Sequence, residues 1–534
     1  MMWRRTETFG APRGLRGRPS GVEAPKAMRP AKLTAFLVAI AAALFVSAAL
    51  AAPAALASGN ETVFFEAPRD LVGVSPAVQA KTIAKLESLG VHAVRIVLYW
   101  GEVAPGSSHK QRPNFNQASP SAYNWGAYDQ LIDAVTALHW NVLLTVSGGF
   151  GTVPRWATPH GEDRYSYPNA SDFGQFMEAV GKHYGKKVKL FSIWNEPNQP
   201  QYLRPQYVKG KLVSAGIYRS LFLAGYAGLK ASGNFSGMRV LMGETSPVGV
   251  QAAGIPAPLA FLRGVLCLNS NYRPIGHCSK LPAYGYAQHP YAEGPGPFWI
   301  PPLDPHHDDV TIGTIGRLVT ALNRAAAAGA IRADMPVYIT EFGIQSVPYT
   351  AGGVSLAQQA ELDAISERIA WSNPRVVSFD QYLLRSDVPG NAAGFQTGLE
   401  TSKGVTKPVL DGFRLPLVVT RTHTGVSFWG IVRPAGDPAA DSTTPSTGAT
   451  GATGATGSHG SASGSTKVVL QYSSDGGKTW RTLTSVHIGS SGAWSASGRF
   501  STHRLWRTKW VSPAGVTYFG APTRAYTTTG KVDY

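Results

Sequence analysis

Three features of the sequence predict an α/β chain, a TIM (β/α)8 barrel followed by a small antiparallel β-sandwich of immunoglobulin-like character. Eight short apolar runs alternate with longer helical patterns over about 350 residues, several runs close on a polar residue, and after residue 415 the pattern changes to apolar and polar alternation broken by turn residues. With 534 residues and 43% hydrophobic content, the chain has enough apolar bulk for one large core and a second smaller one.

Residues 1–57 read as a signal peptide. Eight Lys and Arg precede an apolar stretch, Leu33 to Ala57, that ends in the small-residue pattern Ala55-Leu56-Ala57. The stretch is also long enough to span a bilayer, so an uncleaved anchor is the alternative. Cleavage after Ala57 lowers the formal charge from +17 to +11, because the segment also holds Glu7 and Glu23. A secreted or extracellular protein is expected, and its positive surface suits acidic polymers or an anionic cell envelope as well as a generally Arg-rich composition. No basic stripe interleaved with aromatics is visible, which argues against nucleic acid as a partner.

The barrel is expected over residues 58–415. Its strand runs are TVFFEA (62–67), AVRIVLYW (93–100), NVLLTVSG (141–148), KLFSIWNE (189–196), RVLMGET (239–245), AYGYAQHPY (283–291), PVYITEFG (336–343) and VVSFDQYLL (376–384). Helical periodicity lies between them, as in SPAVQAKTIAKLESLG and LAQQAELDAISERIAWS. Cys267 and Cys278 fall in one loop-like stretch, and in an exported chain a disulfide between them is the simplest reading, with two buried thiols as the alternative.

Residues 416–534 carry the expected sandwich, with Asp475-Gly476-Gly477 as a hairpin signal. A Gly, Ser, Thr and Ala-rich linker, 436–465, interrupts it. Trp480, Trp494, Trp506 and Trp510 form either a carbohydrate-stacking platform or the core of a small sandwich.

In such a barrel the residues that close the strands share one pocket. Here these are Arg95, Asn195 with Glu196, Glu244, His289 with Tyr291, and Glu341. Strands four and seven lie on opposing parts of the rim, so Glu196 and Glu341 face one another. Two facing carboxylates break a glycosidic bond when one protonates the leaving oxygen and the other attacks the anomeric carbon.

WNEPN closing the fourth run and ITEFG closing the seventh resemble the acid/base and nucleophile motifs of the clan A glycoside hydrolases, the retaining cellulase-like superfamily. VRI in the second run and HPY in the sixth match the same pattern. The resemblance covers most of residues 60–415 and is similar especially to exported bacterial proteins of families 5 and 39.

It implies Glu196 as general acid/base and Glu341 as nucleophile. Asn195 would hold the sugar 2-hydroxyl, Arg95 would keep Glu341 ionised, and His289 and Tyr291 would hydrogen-bond the nucleophile or the ring. Two positions depart from family 5: Ser147 stands where strand three has histidine, and DQYLLRSD where strand eight has tryptophan. Tyr382 is then a candidate sugar platform, with Trp100 or Trp156 as another. Glu244 either binds substrate or braces Arg95, and for Glu66 a structural role is favoured.

The cluster DPHHDD (304–309) lacks ligand spacing and reads as a solvated loop, so no metal and no cofactor is expected. The expectation is therefore a monomeric, exported retaining β-glycosidase acting on an oligo- or polysaccharide. A non-catalytic carbohydrate-binding or envelope protein on the same barrel, or a transglycosylase, is the alternative.

Overall fold

The computed structural model describes residues 61–161, 163–293, 296–301, 304, 306–349, 352–390, 394–436 and 466–527. The expected signal peptide and all but the first residue of the expected linker lie outside the described residues. Among the described residues, no helix is long and apolar enough to cross a membrane.

Eight parallel strands close into a barrel: β1 (Thr62–Glu66), β2 (Ala93–Tyr99), β3 (Asn141–Ser147), β4 (Leu190–Ile193), β5 (Arg239–Thr245), β6 (Gly285–Gln288), β7 (Val337–Ile339) and β8 (Val376–Tyr382). Each strand pairs with its neighbours in chain order, and β1 pairs with β8 to complete the ring. Helices run back between the strands, and their ends are set by local chemistry. Ser75 and Asn169 cap Pro76–Glu87 and Ala170–Tyr184 through their side chains, while Ser355 and Gln358 form a capping box on Leu356–Trp371.

The alternation of strand side chains explains how a buried barrel delivers a polar site. Phe64, Ala93, Leu143, Leu241, Ala287 and Tyr338 fill the interior as one apolar cluster. Two residues further along β1, β2 and β3, the next inward positions are Glu66, Arg95 and Thr145, and two beyond Ala287 stands His289. An apolar floor thus lies beneath a charged layer.

After helix Pro408–Arg414 the chain enters two four-stranded sheets. The first holds β9 (Leu417–Arg421), β10 (Val426–Ile431), β13 (Ala493–Gly498) and β16 (Ala525–Tyr526); β16 joins β9 in parallel and the other pairs are antiparallel. The second holds β11 (Lys467–Ser473), β12 (Arg481–His487), β14 (Leu505–Val511) and β15 (Thr517–Phe519), all antiparallel. Leu417, Val419, Val426 and Phe428 of the first sheet pack on Val468, Leu470, Trp506 and Trp510 of the second.

The first sheet also meets the barrel. Val418, Trp429 and Ile431 join the barrel's core, with Trp429 against Trp371 at 6.0 Å, and the buried Arg433 pairs with Glu367 at 2.9 Å. Cys267 and Cys278 are joined as a disulfide in the segment between helix Pro258–Val265 and β6, with Cα atoms 6.1 Å apart.

Candidate active site

The run that begins as β4 leaves regular strand geometry at Trp194. Trp194 and Glu196 both have positive φ, +69° and +38°, which costs about 1–3 kcal/mol each at a side chain with a Cβ. Three anchors hold this turn. Trp194 is fully buried, edge-on to Phe173, with its indole N–H donating to the Tyr202 carbonyl at 3.1 Å. The Asn195 amide donates to Ser147 Oγ at 3.2 Å, and the Glu196 amide to the Glu244 carbonyl at 3.0 Å.

Asn198, the last residue of WNEPN, locks the other side. Its Nδ2 donates to Ser246 Oγ at 2.9 Å and to the Pro256 carbonyl at 3.1 Å, and its Oδ1 accepts from the Ser246 amide at 2.9 Å. Trp194 and Asn198 are therefore scaffolding, and the turn they fix presents Asn195 and Glu196 to a cavity of about 1060 Å3.

Arg95 is the hub of the charged layer and has no exposed side-chain surface. Nη1 contacts Glu66 and donates to Glu341 Oε2 at 3.1 Å; Nη2 donates to Glu244 Oε2 at 2.8 Å and contacts Asn195 Oδ1. Thr145 Oγ1 donates to Glu244 Oε1 at 2.7 Å. A guanidinium suits this place because its fork can serve several carboxylates without losing its charge.

His289 ties the two facing carboxylates together. Its Nδ1 lies 3.1 Å from Glu196 Oε1 and 3.4 Å from Glu341 Oε2, so those two oxygens are at most about 6.5 Å apart. Tyr291 donates to Glu341 Oε1 at 2.8 Å. Glu196 and Glu341 both line the cavity, with Asn195, Tyr291, Tyr382 and Glu66.

The electrostatics separate the pair. Burial first, and then the Glu341 charge, push the Glu196 carboxyl well above the usual carboxylate range, against the pull of Arg95. Burial also raises Glu341, but Arg95 and the Tyr291 hydrogen bond oppose it. Burial, followed by Arg95, holds His289 well below the ordinary imidazole value, so its ring is neutral. Glu66 is pushed up to about 8 by burial, with Arg95 opposing.

Several expected substrate contacts fall elsewhere. Trp100 is fully buried, stacked on Phe176 and edge-on to Trp156, and Trp156 packs in turn against Phe115. Neither indole offers a face to a sugar; both belong to the core behind β2. Glu244 and Arg95 have no exposed side-chain surface and bind each other, so Glu244 braces Arg95 instead of meeting a ligand. His289 is likewise enclosed and acts on the carboxylates. Tyr382 does line the cavity, edge-on to Phe395 at 5.0 Å.

Three of the four sandwich tryptophans are likewise enclosed, while Trp480 is half-buried. Trp494, Trp506 and Trp510 are buried core residues, and Arg507 lies 4.2 Å over the ring of Trp480. The DPHHDD segment pairs with arginines: Asp308 takes Arg263 through both oxygens at 2.6 and 2.7 Å, and Asp304 takes Arg317. Among the described residues no group of three or more His, Cys, Asp or Glu is arranged to hold a metal ion.

Sequence reasoning did not single out Thr145, Asp380, Phe150 or Tyr202. Asp380 is wholly buried, lies within reach of the charges of Glu66, Arg95 and Glu341, and is pushed well up, chiefly by burial. Phe150 is 60% exposed at the cavity edge, with its ring 4.8 Å from Tyr202. The glycine cluster of Ser147-Gly148-Gly149-Phe150-Gly151 was the available signal for that loop.

No family model matches the chain. Solved structures similar to it include a family 39 glycoside hydrolase from the gut symbiont Bacteroides cellulosilyticus WH2, 15% identical, covering 84% of this chain and 81% of that one at a TM-score of 0.43. Another is a glucosidase from Croceicoccus marinus, 10% identical, covering 84% and 95% at 0.46. A third is xylanase B from Clostridium stercorarium F9, 13% identical, covering 67% and 98% at 0.42.

Proposed function

We propose that this chain is an exported retaining β-glycosidase of the clan A type, acting on an oligo- or polysaccharide with Glu341 as nucleophile and Glu196 as general acid/base. The observation that carries the reading is His289 Nδ1 lying within 3.4 Å of both carboxylates, which puts their nearest oxygens no more than about 6.5 Å apart across a cavity. Retaining pairs stand about 5–5.5 Å apart, whereas an inverting pair needs about 6.5–9.5 Å to admit a water.

The two environments fit the two tasks. Glu341 faces Arg95 and accepts from Tyr291, which favours the ionised form that attacks the anomeric carbon. Glu196 keeps its proton to higher pH and passes it to the departing glycosidic oxygen as that bond breaks. A covalent glycosyl ester on Glu341 remains. Glu196, now ionised, takes a proton from water, whose oxygen attacks the same carbon and releases the sugar with its configuration retained. Asn195, oriented by Arg95, is placed to bind the 2-hydroxyl. The disulfide agrees with export.

The test is mass spectrometry of the protein after incubation with a panel of 2-deoxy-2-fluoro glycosides. The expected result is one sugar mass on the peptide containing Glu341. A sugar attached to any other residue, or turnover with inverted product, overturns the assignment.

A further inference from the structure

We infer that Phe150 and Tyr202 form the binding subsite for the leaving group, and that this leaving group is itself a sugar: Phe150 stacks against its C–H face and the Tyr202 hydroxyl donates to one of its oxygens. The inference rests on the glycosidase reading and deepens it by naming what is cut away from the retained sugar.

Tyr202 is tied to the proton donor through the backbone. The Gln199 amide donates to the Glu196 carbonyl at 2.8 Å and the Tyr202 amide to the Gln199 carbonyl at 3.0 Å, so two successive turns lead from the carboxyl to the ring. The loop after β3 is pressed onto that segment. The Phe150 amide donates to the Gln201 carbonyl at 2.9 Å, and β-carbons on Gly148 and Gly149 would collide with the rings of Trp194 and Tyr202, so glycine is what permits the approach. Glu196 passes its proton to the departing oxygen, so side chains fixed around Glu196 at the cavity edge stand on the leaving-group side. Tyr291 and Arg95, in contrast, are fixed around Glu341, where the retained sugar becomes attached.

Phe150 is built to be presented. It is the most exposed aromatic residue among those described, and its backbone has φ +52°, a left-handed conformation that a bulky side chain rarely adopts. A lone phenylalanine on a relaxed surface needs no explanation, but strained backbone that holds an exposed ring over a cavity is the signature of a ligand contact. Its one ring contact among the described residues is edge-on to Tyr202 at 4.8 Å, which leaves ring surface open. A pyranose has C–H groups on its faces and hydroxyls around its rim, so a flat apolar ring receives it without burying those hydroxyls.

The polar groups beside that ring select a sugar over an apolar tail. Tyr202 lines the cavity, and among the described residues its hydroxyl has no hydrogen-bond partner. Burial, and next the charge of Glu196, push this hydroxyl well above its ordinary value, so it keeps its proton and donates. Gln199 and Gln201 line the cavity as well and offer both donors and acceptors. An alkyl leaving group would strip water from these groups and return no hydrogen bonds. The cavity, about 1060 Å3, lies just above the usual range of about 300–1,000 Å3 for a small-molecule site, which leaves room for sugars on both sides of the bond.

The test uses the full chain with β-glucosyl, β-galactosyl, β-mannosyl and β-xylosyl fluorides and the matching β-1,3- and β-1,4-linked disaccharides. Fluoride departs without filling the leaving-group subsite, so the fluoride that turns over identifies the retained sugar and its disaccharide reads the subsite. Phe150→Ala is expected to lower kcat/KM for the disaccharide at least about tenfold more than for the fluoride, and Tyr202→Phe to show the same bias at about threefold or more. Phe150→Leu, which keeps the apolar bulk, is expected to fail as Phe150→Ala does, while Phe150→Tyr restores the disaccharide activity to within about threefold. That pair separates a stacking face from packing and carries the test if Phe150→Ala does not fold. Equal losses on fluoride and disaccharide, full activity of Phe150→Leu, a fluoride turned over with no disaccharide cleaved, or a larger loss on an octyl glycoside than on the disaccharide would overturn the inference and leave the glycosidase reading standing. Turnover of none of the fluorides would overturn that reading, and the inference with it.

Discussion

The Tyr291 hydroxyl donates to Glu341 Oε1 at 2.8 Å while Arg95 holds the other oxygen at 3.1 Å. Both contacts favour the ionised carboxylate, so each lowers the pH at which Glu341 can serve as the proposed nucleophile. Tyr291→Phe removes one of them without opening a large space. The expected result is a 10- to 100-fold lower kcat, by order of magnitude for one lost hydrogen bond to a charge, and an acid limb of the kcat/KM profile moved to higher pH. An unchanged acid limb would show that Tyr291 does not tune this group.

Arg95 compensates three carboxylates that have almost no access to water. Removing one partner of a buried ionic network leaves uncompensated charge, which costs about 3–5 kcal/mol. Arg95→Met should therefore destabilise the fold by about that amount. The loss should be larger at pH 8 than at pH 5, because protonation relieves the stranded acids. Urea denaturation at the two pH values checks both the size and the sign.

Most of this arrangement was legible in the residues that close the strands, because a parallel strand buried on both faces reads as an apolar run and its last inward positions stand out. All eight runs correspond to strands of the barrel. Whether a closing residue meets the ligand or its neighbours was not legible. Arg95 and Glu244 sit one layer too deep: Arg95 is only the third residue of β2, and Glu244 lies at a turn with Gly243, both at positive φ, where the register of β5 against β6 shifts. Nor does an indole announce its side: Trp100 follows β2 directly yet turns into the core against Phe176. Asp380 looked like part of an ordinary strand because a buried acid carries no periodicity signal of its own.

Glu66 gives stability a pH dependence of definite sign. Burial pushes its folded pKa up to about 8, well above the value of about 4.3 for an exposed glutamate. Between these values the folded chain keeps a proton that the unfolded chain has released. The contribution of Glu66 therefore favours folding least at the alkaline end, and stability falls as pH rises from about 4.5 to 8. Glu66→Gln should flatten that fall by at least about 1.4 kcal/mol, the worth of one pKa unit. Equal slopes for the two proteins, measured by denaturant titration at pH 5, 6.5 and 8, would count against a proton held on Glu66.

Glu196 can be tested through the leaving group. If it donates a proton to the departing oxygen, the need for it depends on how basic that oxygen is. Glu196→Ala should slow cleavage of an alkyl glycoside about 10^2- to 10^4-fold but barely affect the first step with a 2,4-dinitrophenyl glycoside, which departs without protonation. The second step still lacks its base, so the covalent sugar on Glu341 should accumulate and dinitrophenol should appear as a burst. Azide, a nucleophile that needs no base, should restore turnover and yield the glycosyl azide with retained configuration. An equal slowing of both substrates, with no burst and no azide product, would remove Glu196 from the acid/base role and return its raised proton affinity to burial beside Glu341 alone.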